Sequence, residues 1–364
     1  MAGNHTHKYL LAQEKIKQAV DLLNIDDRLP GERVLAKDLG ISYMTVRKAI
    51  ENLVEEGVLY KVPKKGCYVA DPKLKRKKTI GYFLDSSIEE GVTSPYYSLI
   101  FDALEKQAAK QGNALIYFSE SNEGDLSSET LKVIEKLDGV IMSCFPRIES
   151  IVHKIKEQVP VVCIDNRSLD ESVPSLTLDN FTAVVDSINY FLSLGHKRIG
   201  FITGLDDSDV GRNRLAGYIS ALKSHGLDED EGLIYKGDYS FETGKRGANY
   251  FMSMKTSPTA IMCANDTMAI GSIKEICRKG LSVPNDISVI GFDDISVSSH
   301  IMPALTTISV PVQEIAKQAI EMLTRLLDGE EPENRHLTLP CQLVLRESCA
   351  ENDNGNTATS NLAG

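Results

Sequence analysis

Asp85, Asp165, the pair Asn265-Asp266 and the pair Asp293-Asp294 each follow directly on a short apolar run: Ile80–Leu84, Val161–Ile164, Ile261–Ala264 and Ile290–Phe292. Arg212 and Arg214 sit at the start of the amphipathic stretch Arg214–His225, and Tyr239 lies in the loop Gly237-Asp238-Tyr239. Carboxylates, an amide and guanidinium groups at strand ends could grip hydroxyl groups while an aromatic ring covers the apolar face of a sugar-like molecule. In α/β proteins such groups collect in a cleft outside the strand ends. Taken singly, each such residue is more often a helix N-cap or a solvated loop residue. They gain meaning only if one cleft collects them.

A different chemistry is written near the N-terminus. Tyr43, Met44, Thr45, Arg47 and Lys48 form the polar side of a short helical stretch whose other side is Val46, Ile50 and Leu53. A helix with that division can lie in a DNA major groove, where Arg or Lys reads guanine or holds phosphate and Thr bonds either. Lys64 and Lys65, in the turn Pro63-Lys64-Lys65-Gly66, could reach the adjacent backbone or minor groove. A solvated charged helix is the competing reading.

The elements that must position these groups fall into two styles. In the head, Ala12, Ile16, Ala19, Val20 and Leu23 recur at the spacing of one buried helix face. Leu29-Pro30-Gly31 interrupts it, a second helix runs from about Glu32 to Leu39 and ends at Gly40, and Ser42 caps a third helix that Gly57 stops. Two β-prone runs, Val58–Val62 and Cys67–Ala70, then predict a hairpin. Residues 1–70 read as a winged helix-turn-helix and 71–78, DPKLKRKK, as a basic linker. From Thr79 short apolar runs alternate with amphipathic stretches such as Ser98–Gln111 and Phe181–Leu194, the pattern of parallel sheets covered by helices on both faces. The fold class is α/β. Residues 79–349 divide into two Rossmann-like lobes, one of about 79–178 with 310–339 and one of about 179–309 with 340–349; the polar segment 350–364 is expected to be disordered.

Charge follows the same division. The 364 residues carry a formal net charge of −11, yet residues 1–78 hold 16 basic and 10 acidic side chains, against 24 and 41 in the remainder. A basic head on an acidic body fits a nucleic-acid contact confined to the head. No apolar run reaches the roughly 18–20 residues of a membrane helix and the N-terminus lacks a signal h-region, so a soluble cytoplasmic protein with no membrane partner is expected. Seven scattered cysteines without a C-x-x-C pair point to reduced, mostly buried side chains. Seven histidines show no metal-ligand spacing, and the default for each is the surface. G-x-G-x-x-G after a strand, a P-loop, H-E-x-x-H and G-x-S-x-G are all missing, so no catalytic residue, cofactor or metal is assigned.

The string LPGERVLAKDLGISYMTVRKAIENLVEEGVLYKVPKKGCYVA closely resembles the winged helix-turn-helix of GntR-type transcription regulators. The resemblance implies DNA contacts at Arg33, Ser42, Tyr43, Thr45 and Arg47, with Gly66 as the wing glycine. Gly31 stands where the family usually has Ser, and Tyr43 and Met44 where Arg and Thr are common, which implies an altered base preference. The segments LGHKRIGFITG, GRNRLAGYISAL, PTAIMCANDTMAIGSIKE, VPNDISVIGFDD and PALTTISVP resemble the effector domain of LacI/GalR-type regulators, relatives of periplasmic sugar-binding proteins. That resemblance implies effector contacts at Arg214, Asn265, Asp293 and Tyr239, then Asp85, Tyr96 and Tyr97, with Asp165 less secure. It also implies a homodimer on operator DNA, a monosaccharide effector, and repression relieved by that effector. A non-sugar ligand or an activator remains the alternative.

Overall fold

The computed structural model describes residues 3–20, 22–62, 65–70, 77–85, 90–120, 126–143, 149–206 and 208–352. The chain folds as two units, residues 1–78 and 79–364.

In the first unit α1 (Gly3–Val20) packs with α2 (Glu32–Leu39) and α3 (Tyr43–Glu55) around Ile16, Leu35, Val46, Ile50 and Leu53. Leu23, placed on α1 by its spacing, lies past the end of that helix and packs against the core from the following segment. Gly31 leaves α2 without a side-chain cap, and Gly40 ends it with φ +64°. Only glycine adopts that conformation at little cost. Ser42 caps α3: its Oγ accepts from Thr45 N at 3.2 Å. Strands β1 (Leu59–Val62) and β2 (Gly66–Val69) form an antiparallel hairpin in which Leu59 pairs with Val69. The segment Asp26–Leu29 adds a third chain along β2, with Asp26 N bonded to Val69 O and Leu29 N to Cys67 O. Gly66 has φ +119°, and a Cβ there would press on the Arg28 guanidinium at 3.2 Å.

The second unit has two six-stranded sheets. The first runs β3 (Thr79–Asp85), α4 (Pro95–Lys110), β4 (Ala114–Glu120), α5 (Ser128–Ile134), β5 (Gly139–Ser143), α6 (Glu149–Lys156), β6 (Val161–Asp165) and β7 (Ser175–Leu178). The chain then crosses into α7 (Asn180–Ser193), β8 (Ile199–Ile202), α8 (Asp209–Ser224), β9 (Ile234–Tyr235), α9 (Phe241–Met252), β10 (Ala260–Cys263), α10 (Asp266–Arg278), β11 (Ser288–Asp293) and β12 (Thr306–Ser309). It returns as α11 (Val312–Leu327) and β13 (His336–Leu339), then crosses again into β14 (Gln342–Val344). The sheet orders are β13-β7-β6-β5-β3-β4 and β14-β12-β11-β10-β8-β9. All pairings are parallel except β12 with β14. Parallel sheets are buried on both faces. Accordingly β5, β8, β10 and β11 are buried along their whole length.

The seven short apolar runs that alternate with amphipathic stretches, 80–84, 114–118, 140–142, 159–164, 199–202, 260–263 and 289–292, each carry a strand. Strands β9 and β14, of 2 and 3 residues, are too short to make such a run, and β7, β12 and β13 carry none because Ser175, Thr177, Thr306, Thr307 and Thr338 break the apolar signal. Their polarity is used: Thr306 Oγ1 accepts from Arg346 N at 2.9 Å, and the Thr177 and Thr338 hydroxyls meet at 3.1 Å across two parallel strands. Three expectations change. Helix α8 begins at Asp209 with Ser208 as cap, so Arg212 and Arg214 lie inside it rather than opening it. His196 is 3% exposed and bonded to Thr259 and Ala350, not a surface residue. Packing also continues past 349, since Asn352 N bonds Leu194 O at 2.8 Å; residues 353–364 and 71–76 lie outside the described residues. Of the cysteines, Cys67, Cys163 and Cys263 are buried, Cys341 and Cys349 half-buried, and Cys277 exposed; Cys144 falls outside the described residues.

Candidate functional site

Two surfaces carry the polar residues. On the first unit, the buried Val46, Ala49, Ile50 and Leu53 fix the rotation of α3 and leave Tyr43, Met44, Arg47 and Lys48 outward. Residues four apart share a helix face, so Tyr43 with Arg47 and Met44 with Lys48 make two adjoining rows. Met44 is 68% exposed. Arg47 Nε lies 3.0 Å from Glu51 Oε1, one turn along, and that carboxylate raises the guanidinium pKa. Thr45 Oγ1 meets Ser42 Oγ at 2.7 Å, which holds the start of the helix. Arg33 is exposed in the first turn of α2, and Lys65 is exposed beside Gly66 at the hairpin tip; Lys64 lies outside the described residues.

On the second unit, C-terminal strand ends from both sheets meet. Asp165 ends β6, Asp293 ends β11, Asn265 follows β10 as the cap of α10, and Tyr239 precedes α9. Tyr96 and Tyr97 occupy the first turn of α4, their rings edge to face at 5.1 Å. Tyr96 donates to Asp165 Oδ1 at 2.7 Å. The other carboxylate oxygen, Oδ2, is buried and has no hydrogen-bond partner among the described residues. Asp85, also buried, ends β3 on the far side of β5.

Arg214 reaches this place from α8 and is 5% exposed. Its Nε donates to Asn180 Oδ1 at 2.8 Å, one terminal nitrogen donates to Ala264 O, and the guanidinium lies 3.5 Å from the centroid of the Phe292 ring. Two of its three nitrogens are thus used to aim the group, leaving part of the fork for a ligand. Burial pushes the Asp293 carboxyl well above its ordinary range; Arg214 opposes this, and Asp266 and Asp165 reinforce it. Burial also raises Asp165, against the Tyr96 bond, the Ser143 hydroxyl and the Arg214 charge. Burial raises Tyr96 and Tyr97 well above their ordinary value, and the carboxylates of Asp165 and Asp293 add to it, with Tyr82 and Tyr239 contributing for Tyr97. Arg214 and Asp293 of one lobe thus lie within electrostatic reach of Asp165, Tyr96 and Tyr97 of the other.

The backbone there is strained. Asp165, Tyr239 and Asp293 have φ of +69°, +68° and +111°. For a bulky residue such as Tyr a positive φ is an outlier, and each such residue costs about 1–3 kcal/mol that the surrounding packing must offset. For Tyr239 the restraints are visible: Asn265 Nδ2 donates to its carbonyl at 3.0 Å, and its ring lies so close to Gly204 that a Cβ there would come within 2.0 Å of the hydroxyl.

Several sequence candidates have other partners. Asn265 Oδ1 accepts from Met268 N at 2.9 Å, so most of its amide is spent on capping and on holding Tyr239. Arg212 is exposed and pairs with Asp209. Asp294 forms an ion pair with Arg346 at 2.6 Å. Asp266 is fully buried and accepts from Ile295 N at 3.0 Å, Ser298 Oγ at 2.6 Å and Thr307 Oγ1. Sequence reasoning missed Asn180 and Phe292, which aim Arg214. Nothing in the local pattern around either could have shown this, because Arg214 is 34 residues from the first and 78 from the second. Among the described residues no helix is long and apolar enough to cross a membrane.

A basic helix-turn-helix unit joined to a two-lobed unit with a polar cleft defines a transcription regulator with a built-in ligand sensor. Residues 9–69 match the family described as bacterial regulatory proteins, gntR family, and residues 188–349 match the periplasmic binding protein-like domain. The HTH-type transcriptional repressor CytR of Escherichia coli is 31% identical over 261 residues, 71% of this chain and 76% of that one. The probable HTH-type transcriptional repressor ExuR of Bacillus subtilis is 27% identical over 86% of this chain and 96% of its own length. The crystal structure of a LacI-family regulatory protein from Chloroflexus aggregans superposes with a TM-score of 0.66 at 26% identity, over 75% of this chain and 99% of that one. A sugar-binding transcriptional regulator of the LacI family from Escherichia coli, solved with phosphate, gives 0.63 at 27% identity, over 75% and 99%. The chain belongs to the LacI-type family of helix-turn-helix transcriptional repressors, with a GntR-type DNA-binding head.

Proposed function

We propose that this protein represses carbohydrate-utilisation genes from the cytoplasm as a homodimer, and leaves its operator when a neutral monosaccharide unit occupies the cleft. The observation that carries the ligand class is the buried Asp165 carboxylate in electrostatic reach of Asp293 and Arg214, whose Oδ2 makes no hydrogen bond with a described residue although the Ser143 hydroxyl acts on the same group, because that oxygen can accept a further donor. A hydroxyl supplies it. Two carboxyl groups and one guanidinium offer acceptors and donors that match neighbouring hydroxyls, so a polyol can donate hydrogen bonds to Asp165 and Asp293 and accept one from Arg214. Tyr239 and the Tyr96–Tyr97 pair offer rings for the apolar face. The sugar-binding relative supports the same reading.

The role is recognition rather than catalysis, in line with the relatives, which are regulators. On DNA, Arg47, Lys48 and Thr45 read or clamp the major groove from α3, assisted by Arg33, Ser42, Tyr43 and Met44, while Lys64, Lys65 and Gly66 bring the wing to the backbone. Two heads then address palindromic half-sites about one helical turn apart. The basic segment DPKLKRKK joins the head to the body, so coupling runs through the linker and the geometry of the protomers. A coupling of about 1–3 kcal/mol is sufficient.

The test is a melting-temperature screen against pentoses, hexoses, deoxysugars and their phosphates, followed by operator binding with and without the hit. A neutral sugar that raises the melting temperature and weakens operator binding is the expected result. A response only to sugar phosphates, or only to a non-sugar, overturns the ligand class.

A further inference from the structure

The wing of the head has a third strand that the hairpin does not supply. Asp26 N donates to Val69 O at 3.0 Å, Val69 N to Asp27 O at 2.9 Å and Leu29 N to Cys67 O at 2.9 Å. The segment from Asp26 to Leu29 therefore runs antiparallel along β2, with Arg28 opposite Tyr68. Residues opposite each other in such a ladder project from the same face, and alternate residues along a strand share it. Leu29, Cys67 and Val69 fill the face turned to the core of the head. Arg28, Tyr68 and Tyr60 take the outer face, the two tyrosine rings stacked at 5.5 Å. Gly66 belongs to that face too, two residues from Tyr68 at the tip of the hairpin.

Arg28 reaches the tip. Its guanidinium lies over Gly66 so closely that a Cβ on the glycine would come within 3.2 Å of Nε. The acids beside it in sequence are engaged elsewhere: Asp26 accepts from the Tyr60 hydroxyl at 2.7 Å, and Asp27 from Asn24 N at 2.8 Å. The exposed Arg28 side chain makes no hydrogen bond or ion pair with a described residue. Its donors are thus free for a ligand, and the bare glycine is what lets them sit at the end of the wing.

We infer that Arg28 is a specificity-determining DNA contact: carried on the tip of the wing, its guanidinium enters the minor groove next to the major groove that α3 occupies, and selects A·T pairs there. This rests on the placement of the head on DNA given above.

The chemistry of the groove selects both the residue and the base pair. The minor groove is roughly 6 Å wide, half the width of the major groove that takes a helix, and a tip without a side chain at Gly66 is narrow enough to approach it. Lys65, exposed at the same tip, can hold a flanking phosphate. In the minor groove A·T pairs present only acceptors, which suit a guanidinium that has only donors, whereas G·C adds an amino donor that opposes it. Runs of A·T also narrow the groove and deepen its negative potential, which favours the weakly hydrated guanidinium over an ammonium.

The experiment first enriches an operator from a pool of random duplexes with the full-length protein. Fluorescence anisotropy then measures the parent, Arg28→Ala and Arg28→Lys on the enriched duplex and on two chemically altered copies. Diaminopurine in place of adenine adds an amino group in the minor groove and leaves the major-groove edge unchanged; inosine in place of guanine removes that group. Arg28 is exposed, so both variants should fold, and melting curves check this. The expected result is that diaminopurine at A·T pairs flanking the α3 contact weakens the parent about tenfold, and that inosine restores binding to a copy carrying G·C at those pairs. Both variants should bind the enriched duplex about tenfold more weakly and no longer distinguish diaminopurine from adenine. Arg28→Lys binding as tightly as the parent, or a parent indifferent to diaminopurine, would overturn the minor-groove contact while leaving the head on DNA. A pool from which no sequence is enriched would defeat the operator reading itself.

Discussion

Replacing Asp165 by Asn is the most direct probe of the cleft. Asn has nearly the same shape, tolerates the +69° φ at this position, and can keep its oxygen on the Tyr96 hydroxyl now 2.7 Å from Oδ1. The change is therefore confined to the second oxygen, where a buried acceptor becomes an amide donor. If that oxygen receives a ligand hydroxyl, the variant loses a hydrogen bond to a charged group, worth about 1.5–3 kcal/mol, or roughly 10- to 150-fold in affinity. Folding should not suffer. Burial raises the Asp165 pKa, so its ionised form is a cost that is absent below the ordinary carboxylate range and grows as pH rises through the raised value. Removing that charge should leave the neutral-pH melting temperature unchanged or slightly higher. Calorimetric titration with the effector and an operator-binding assay read the two consequences: weakened ligand binding and intact operator affinity that no longer responds to effector. Unchanged ligand affinity in a folded Asp165→Asn protein would refute the reasoning, since the orphaned oxygen would then face no ligand.

Arg47→Ala should lower operator affinity by about 1–3 kcal/mol with effector binding preserved, as measured by fluorescence anisotropy; an unaltered operator affinity would remove α3 from the groove. Gly204→Ala drives a methyl group into the Tyr239 ring, so effector binding should drop sharply while operator binding stays, and a normal titration would show that Tyr239 is not part of the site. Ser42→Ala deletes the α3 cap and should cost about 1 kcal/mol in the stability of the head, followed by its own melting transition. Burial pushes Asp266 up to about 6, so the protonated form favours the fold: its contribution is full below the ordinary carboxylate pKa and is lost as pH rises through about 6. Melting temperatures between pH 4 and 7 should carry this component in the parent and lack it in Asp266→Asn; parallel pH profiles would contradict it.

Periodicity was enough to place the seven apolar runs as strands and the three helices of the head, because burial on one or both faces imposes a repeat that local sequence records. The head's fold was legible down to the Ser42 cap and the Gly40 stop, whose chemistry is complete within a few residues. Where hydroxyl side chains stand in for apolar ones, as in Thr306-Thr307 and Thr177, the periodic signal fails although the strands form. Their stability comes from partners far along the chain.

The cleft divides along the same line. Residue type at strand ends and in the neighbouring loop and helix was enough to make Asp165, Asp293, Tyr239 and Arg214 candidates, since loops after parallel strands open toward a cleft. Residue type alone did not separate these from Arg212, Asp266 and Asp294, which have the same chemistry and similar placement; in the sequence only the family resemblance singled them out. The tertiary structure separated them, by giving Arg212, Asp266 and Asp294 protein partners and leaving Asp165 Oδ2 without one. Likewise Asn180 and Phe292 aim Arg214 only because α7, α8 and β11 pack together. The sequence by itself determined which groups are available and which elements carry them, because those follow from local geometry. Only the tertiary structure decided which groups are satisfied within the protein and which are left for a ligand, because hydrogen-bond satisfaction depends on contacts between residues distant in the chain.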